Sequence, residues 1–176
     1  MEGEKKSITK AAMNYGAILG LGLVIISIVF YFFGKSESQG LQYLGYLVII
    51  TSIVIGIKNY RDNELEGLIS YGKALHIGTL ISLFGSIIIA FYLYVLLTFI
   101  DNSLMDKMLE TSRQAMEDRG MTDEQLEIAI KYQKMVMTPM MFAIATIISY
   151  TIVGFLFSLI IAGFLKKKNP QENFPQ

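Results

Sequence analysis

The chain has no cysteine, one histidine, three prolines and few charges. Without thiols there is no disulfide framework, no thiolate chemistry and no cysteine-bound zinc. The single histidine, His76, cannot complete the paired-histidine H-E-x-x-H pattern, and no G-x-S-x-G run offers a nucleophile elbow. A formal net charge of zero argues against a nucleic-acid partner, which would be met by a basic surface. Aspartate, glutamate, lysine and arginine make up only 17% of the residues, where a soluble domain carries about 25%.

What is present is apolar and gathered into four blocks, residues 11–33, 41–57, 74–100 and 139–165. A bilayer core about 30 Å thick needs about 20 apolar residues in helical form. The second block is short, and Lys58 could reach back to the headgroups to cover the deficit. The expected fold is all-α: a four-transmembrane-helix bundle forming one integral membrane domain over residues 1–165, with a tail at 166–176. A secretory signal is the rival reading of the first block, since Lys5, Lys6 and Lys10 resemble a basic n-region. Its apolar core is too long, and Ser36 and Ser38 make a poor cleavage pattern. The block is expected to be a retained span.

Four spans put both termini on one side. That side would carry nine of the fifteen basic residues and six of the fifteen acids. The positive-inside bias therefore places both termini in the cytoplasm of a multi-pass protein. Tyr31, Tyr43, Tyr46, Tyr92 and Tyr94 would lie near the outer interface, where amphipathic rings are favoured.

Between the second and third blocks, residues 58–66 (KNYRDNELE) are too polar for hydrocarbon and read as an inter-helix loop. Ser70 is placed to cap the third helix. Lys73 lies in its first turn, where lipid phosphates would offset the unfavourable helix dipole. His76, one turn deeper, could handle protons; a histidine at a helix entrance more often bonds a neighbour or water. The residues of functional interest on this cytoplasmic seam are Lys58, Tyr60, Arg61, Asp62, Lys73 and His76.

The same stretch carries a resemblance. A GIK-x-YRD run supplies Gly56, Ile57, Lys58, Tyr60, Arg61 and Asp62, and G-x-I-S-[YF]-G-K-A supplies Gly67, Ile69, Ser70, Tyr71, Gly72, Lys73 and Ala74. Together with NYGAILGLG (14–22) and LIIAGFLKKK (159–168), this resembles the bacterial membrane family called domain of unknown function 4199. The resemblance implies four spans in the bacterial cytoplasmic (inner) membrane and brings no established activity. Asn102 stands where that pattern would have proline, which would let the third helix run further outward.

Small residues recur every four positions: Gly78, Ser82, Ser86 and Ala90 on the third span, Gly154, Ser158 and Ala162 on the fourth, Gly16 and Gly20 on the first. In lipid such ridges permit close backbone approach, the main attraction between helices; they could serve bundle packing or a homodimer face. No acidic or basic residue stands between the ends of any span, and no internal proline breaks one. Ion-coupled transporters and proton relays usually carry both kinds of feature. Ser27, Thr51, Ser52, Ser82 and Ser86 could line a narrow polar path, although helical hydroxyls normally bond back to their own backbone.

Residues 101–138 hold thirteen charges at helical spacing. Ser103 with Asp106 and Thr122 with Gln125 fit capping boxes, and Gly120 suits the left-handed end of a helix. Two helices, about 104–119 and 123–137, are expected to form an extracytoplasmic hairpin. Its apolar stripes would be Met105, Leu109, Ser112 and Met116 on one helix and Leu126, Ile130, Val136 and Met137 on the other, with Glu127 and Lys131 as a surface ion pair. Eight of the ten methionines fall between 105 and 141. Thioethers favour copper(I), so Met135, Met137, Met140 and Met141 form a weak metal candidate; a flexible apolar lining that fills irregular space is the more ordinary reading, and the spacings suit helix packing.

These readings describe a small non-enzymatic membrane module with no cofactor, working by interaction with lipid, with itself as a homo-oligomer, or with a larger membrane-protein complex. The alternative is an oligomeric transporter or channel component for a small solute.

Overall fold

A run of apolar, mostly straight-chain or β-branched residues with no charge satisfies its own backbone only as helix when water is scarce, and helices are what the chain forms. The computed structural model describes residues 7–34 and 39–167. Lys5, Lys6, Lys35, Ser36, Ser38 and residues 168–176 of the tail lie outside the described residues.

The order is α1 (Ile8–Phe32), α2 (Gln39–Glu64), α3 (Tyr71–Val95) continued by a π-helical turn (Leu96–Ile100), α4 (Ser103–Glu117), α5 (Asp123–Val136) and α6 (Pro139–Leu165). There are no strands among the described residues. Four of these helices are long and apolar enough to cross a membrane: Ile8–Phe32, Gln42–Glu64, Tyr71–Ile100 and Pro139–Leu165. Proline at the first position of α6 costs no hydrogen bond there, and the Thr138 hydroxyl accepts from the Met141 amide at 3.3 Å.

The expected loop at 58–66 is mostly helix instead, because α2 continues through Glu64. Lys58, Arg61 and Glu64 are good helix formers, and the Asn63 side-chain amide donates to Asn59 Oδ1 at 2.8 Å. Arg61 in the last turn also complements the helix dipole.

The described residues fall into two compact units, one formed by residues up to 89 with those from 147, the other by residues 90–146. In the first, Leu19, Ile49, Ile53, Ile57, Ile77 and Ile81 are fully buried. The small-residue ridges sit where helices meet. Gly16 and Gly20 of α1 lie against Phe84, Gly85 and Ile88 of α3, while Gly78 of α3 faces Ser158 of α6 and Gly154 of α6 faces Ser82 of α3. Ser82 and Ser158 donate back to the Gly78 and Gly154 carbonyls of their own helices, and Ser86 to the Leu83 carbonyl. Of the hydroxyls expected to line a path, Ser52, Ser82 and Ser86 are buried, but Ser27 is half-buried and Thr51 exposed. Large apolar side chains such as Ile25, Leu47, Ile87, Ile152 and Ile160 point outward, which a water-soluble fold would hide.

In the second unit, regular α3 ends at Val95 and the chain closes a wider turn, the Asp101 amide donating to the Leu96 carbonyl five residues back at 2.8 Å. Asp101 then leaves the helical region (φ −145°, ψ 83°). Asn102 therefore does not extend the third helix outward. The Asp101 carboxylate, accepting from the Ser103 amide (3.1 Å) and hydroxyl (2.5 Å), stops it. Ser103 is the first residue of α4, and Asn102 stands at the N-cap with no side-chain cap bond of its own, so no capping box forms between Ser103 and Asp106.

The second capping box forms as expected, with Gln125 N donating to Thr122 Oγ1 at 3.5 Å and Thr122 N to Gln125 Oε1 at 3.0 Å. Before it, Gly120 takes φ +79°. The Gly120 and Met121 amides return to the Glu117 and Met116 carbonyls, a paired closure that a left-handed residue makes possible. Helices α4 and α5 thus form a hairpin, joined by Gln133 donating to the Ser112 hydroxyl at 2.9 Å. Met105 and Leu126 are buried. Val136, expected on the inner stripe, is exposed, and the polar Gln133 takes an inward position. Glu127 and Lys131 form no ion pair; Glu127 instead lines, with Asp123 and Arg113, a cleft of about 350 Å³ between the two helices. Two exposed charges gain little by closing on each other in water. Thr122→Ala should remove the box and cost about 1 kcal/mol; chemical unfolding followed by far-ultraviolet circular dichroism checks it.

Candidate functional site at the junction of α2, α3 and α6

The junction is built from the end of α2, the turn to α3 and the end of α6. Helix α2 stops because Glu66 (φ 53°) and Gly67 (φ 82°) both turn left-handed. The Gly67 amide donates to the Arg61 carbonyl at 2.9 Å. Two residues later Ile69 pairs with Lys167 as an isolated antiparallel bridge, with both amide-to-carbonyl bonds at 2.9 Å. The Ile69 side chain is buried beneath it. The Ser70 hydroxyl accepts from the Lys73 amide at 3.4 Å, so it caps α3 as expected.

Arg61 locks the same junction from α2. Its Nε and Nη2 donate to the two Asp62 carboxylate oxygens at 2.7 and 3.2 Å, and Nη1 donates to the Leu165 carbonyl at 3.3 Å. Leu165 is the last residue of α6, so the guanidinium meets a carbonyl that the helix itself leaves unpaired, at the negative end of its dipole. The guanidinium's fixed fork of donors suits this three-way arrangement; lysine has no such fork. From the start of α3, the Tyr71 hydroxyl donates to the Leu159 carbonyl at 3.3 Å. Three separate contacts therefore tie the α2–α3 turn to α6.

Of the six residues expected to matter here, Arg61 and Asp62 form this lock. Lys58, Lys73 and His76 are exposed around it. Tyr60 is buried and turns to the other side of α2, where it lines a cleft against α1. Lys58 and Lys167 lie close enough to Asp62 for their charges to act on it. Sequence reasoning missed Ile69, Tyr71, Leu165 and Lys167 as partners. The pairing is a single bridge between residues almost a hundred positions apart, and it leaves no periodicity to read.

The junction gathers exposed hydroxyls (Ser70, Tyr71), carboxylates (Asp62, Glu66) and cations (Lys58, Lys73). Among the described residues there is no group of three or more histidine, cysteine, aspartate or glutamate side chains that could hold a metal ion. In the other unit, Met135, Met140 and Met141 are exposed and Met137 is half-buried, spread over the end of α5, the linker and the start of α6.

Arg61→Ala should lower the thermal unfolding midpoint of the detergent-solubilised protein by more than Asp62→Asn, because only the first frees the α6 terminus. Differential scanning fluorimetry of both variants checks the order.

Compared with known proteins, residues 14–167 match a family model described as a protein of unknown function (DUF4199). No curated protein and no solved structure matches the chain.

Proposed function

The chain belongs to the DUF4199 family, and we propose that it is a non-enzymatic interaction module of the bacterial cytoplasmic membrane. In this reading the four long helices pack as a bundle across the bilayer. Both termini and the α2–α3–α6 junction face the cytoplasm, and the α4–α5 hairpin stands outside. The observation that carries the reading is the junction itself. Backbone pairing at Ile69 and Lys167 and the Arg61 lock hold Lys58, Lys73 and Lys167 on a fixed frame. A preordered cationic surface loses less side-chain and loop freedom when it meets an anionic partner.

Support against solute movement comes from the helix contacts. The buried hydroxyls of Ser82, Ser86 and Ser158 bond back to their own helices, and the α3–α6 contact closes glycine on serine.

Chemical cross-linking in native membranes, followed by detergent purification, tests the proposal. A reproducible heteromeric or self-associated product that weakens when Lys58, Lys73 and Lys167 are changed to glutamate is expected. A chain that is always monomeric and partnerless would contradict it. Flux of small solutes into proteoliposomes above that of empty vesicles would favour the transporter reading instead.

A further inference from the structure

The two helices of the hairpin present different surfaces. Among the described residues, every large apolar side chain that the hairpin exposes belongs to α5: Ile128, Tyr132, Met135 and Val136, each more than half exposed. Helix α4 exposes none; its outward positions are polar, charged or small, among them Asp106, Lys107, Glu110 and Gln114. The four α5 residues stand at i, i+4, i+7 and i+8, so they form one stripe about 12 Å long. Leu126, which is buried, and Gln133, which bonds to Ser112 of α4, lie on the opposite face of the helix. Helix α5 therefore has an inner face that α4 covers and an outer apolar face that no part of the hairpin covers.

Chain geometry fixes where the uncovered stripe ends. Val136 closes α5, and Pro139 opens α6, one of the helices long and apolar enough to cross a membrane. Between them Met137 takes φ −77° and ψ 77°, and the Thr138 amide donates to the Val136 carbonyl at 2.9 Å. This is an inverse γ-turn, a reversal made by three residues. Three peptide units reach at most about 11 Å, so the end of α5 stays at the level where α6 enters hydrocarbon. Beyond the turn Met140, Met141 and Ile144 of α6 are exposed as well. Along the chain, the uncovered surface of α5 runs straight into surface that lipid covers.

We infer that the outer face of α5 docks on the lipid bilayer, so that this helix lies in the interface beside the entry of α6 instead of projecting into water. Ile128, Met135 and Val136 enter the acyl boundary, and Tyr132 keeps its hydroxyl among the headgroups, where an amphipathic ring is favoured. Lys131 and Lys134, exposed on one flank of the stripe, lay their stems along it and send their ammonium groups to lipid phosphates. The acidic start of α5, Asp123 and Glu124, lies at the other end of the helix from the turn into α6. A second copy of the chain is the rival occupant. A stable pair buries about 800 Å² on each partner, and four side chains on two turns of helix fall short of that. The inference rests on the long helices being spans and makes no use of the α2–α3–α6 junction.

The test is a depth measurement by electron paramagnetic resonance on the full chain in vesicles of phosphatidylethanolamine and phosphatidylglycerol. The chain has no cysteine, so one introduced thiol carries one nitroxide. Labels at Ile128→Cys, Tyr132→Cys and Met135→Cys should collide more with oxygen than with a water-soluble nickel chelate, and report depths about 5–10 Å below the headgroup surface. Labels at Glu127→Cys and Glu117→Cys should show the reverse preference. Frequent nickel collisions at the three stripe positions would overturn the inference, since the stripe would then face water. Rare collisions with both reagents would overturn it too: protein would cover the stripe, and dipolar broadening would identify that protein as a second copy. Because a nitroxide is itself apolar, Tyr132→Glu and Met135→Glu are also combined with the Ile128→Cys label. Nickel collisions there should rise to the level seen at Glu127→Cys, and an unchanged value would contradict docking through this stripe. Labels at Ile25→Cys and Ile160→Cys in the same vesicles separate two kinds of failure. If they meet oxygen while the stripe meets nickel, only this inference fails; if they too meet nickel freely, the spans fail and the inference with them.

Discussion

Replacing Gly154 with alanine should lower the unfolding midpoint of the solubilised protein sharply, and adding Ser82→Gly should restore most of it. A methyl group at Gly154 would fall on the Ser82 hydroxyl and Cβ, leaving Ser82 Cα as the next nearest atom at 3.6 Å. Removing the serine side chain thus opens the space that the alanine fills. Overpacking of a tight contact costs about 1–3 kcal/mol. Ser82→Gly alone should cost less than about 1 kcal/mol, the ordinary penalty for glycine within a helix, since the lost hydroxyl bonds only within its own helix. The double variant should be more stable than Gly154→Ala alone. Additive losses would mean that α3 and α6 do not meet through these residues, and a double-mutant cycle by thermal melting measures the difference.

A second large effect should have no such rescue. At Gly20 a Cβ would stand 2.6 Å from the Ile88 Cβ and 2.9 Å from the Gly85 carbonyl oxygen. One obstacle is a β-branched side chain at its root, and the other is backbone, so neither can swing aside. Gly20→Val should therefore cost about 3 kcal/mol and separate α1 from α3. Ile88→Ala should recover little of this, because an alanine side chain still has its Cβ and the backbone oxygen stays in place. Limited proteolysis of α1 together with the melting midpoint distinguishes detachment of α1 from general unfolding.

The small-residue ridges were legible in the sequence, because a small residue every fourth position lies on one face of a helix; which helices they join was not, since a ridge carries no mark of its partner. The four long apolar segments were legible for the same reason of scale, and α6 begins and ends at the expected residues. The seam between α2 and α3 reads as loop but is mostly helix. Its charge density argues for water, yet Lys58, Arg61 and Glu64 prolong a helix as readily as they end a span. Arg61 stands out in the sequence, but its partner, the Leu165 carbonyl, belongs to the backbone of another helix and has no side-chain signature. In the hairpin, Thr122, Gln125 and Gly120 act as expected because caps are local chemistry. Ser103 fails as a cap because the helix takes it in as its first residue, its amide donating to the Asp101 carboxylate two residues earlier. Gln133 escapes a reading by apolar stripe because it is polar, and its bond to Ser112 depends on how two helices meet.

The central claim is that hydrocarbon surrounds the outward faces of the four long helices. A chain without cysteine makes the test clean, since one introduced thiol reports one position. Ile25 and Ile160 are 62% and 61% exposed, and Glu117 on the hairpin is exposed too. In broken membranes treated with a water-soluble maleimide, Ile25→Cys and Ile160→Cys should stay at background labelling until the membrane is dissolved in denaturing detergent, while Glu117→Cys labels at once. Equal labelling at all three positions in the intact bilayer would contradict the account.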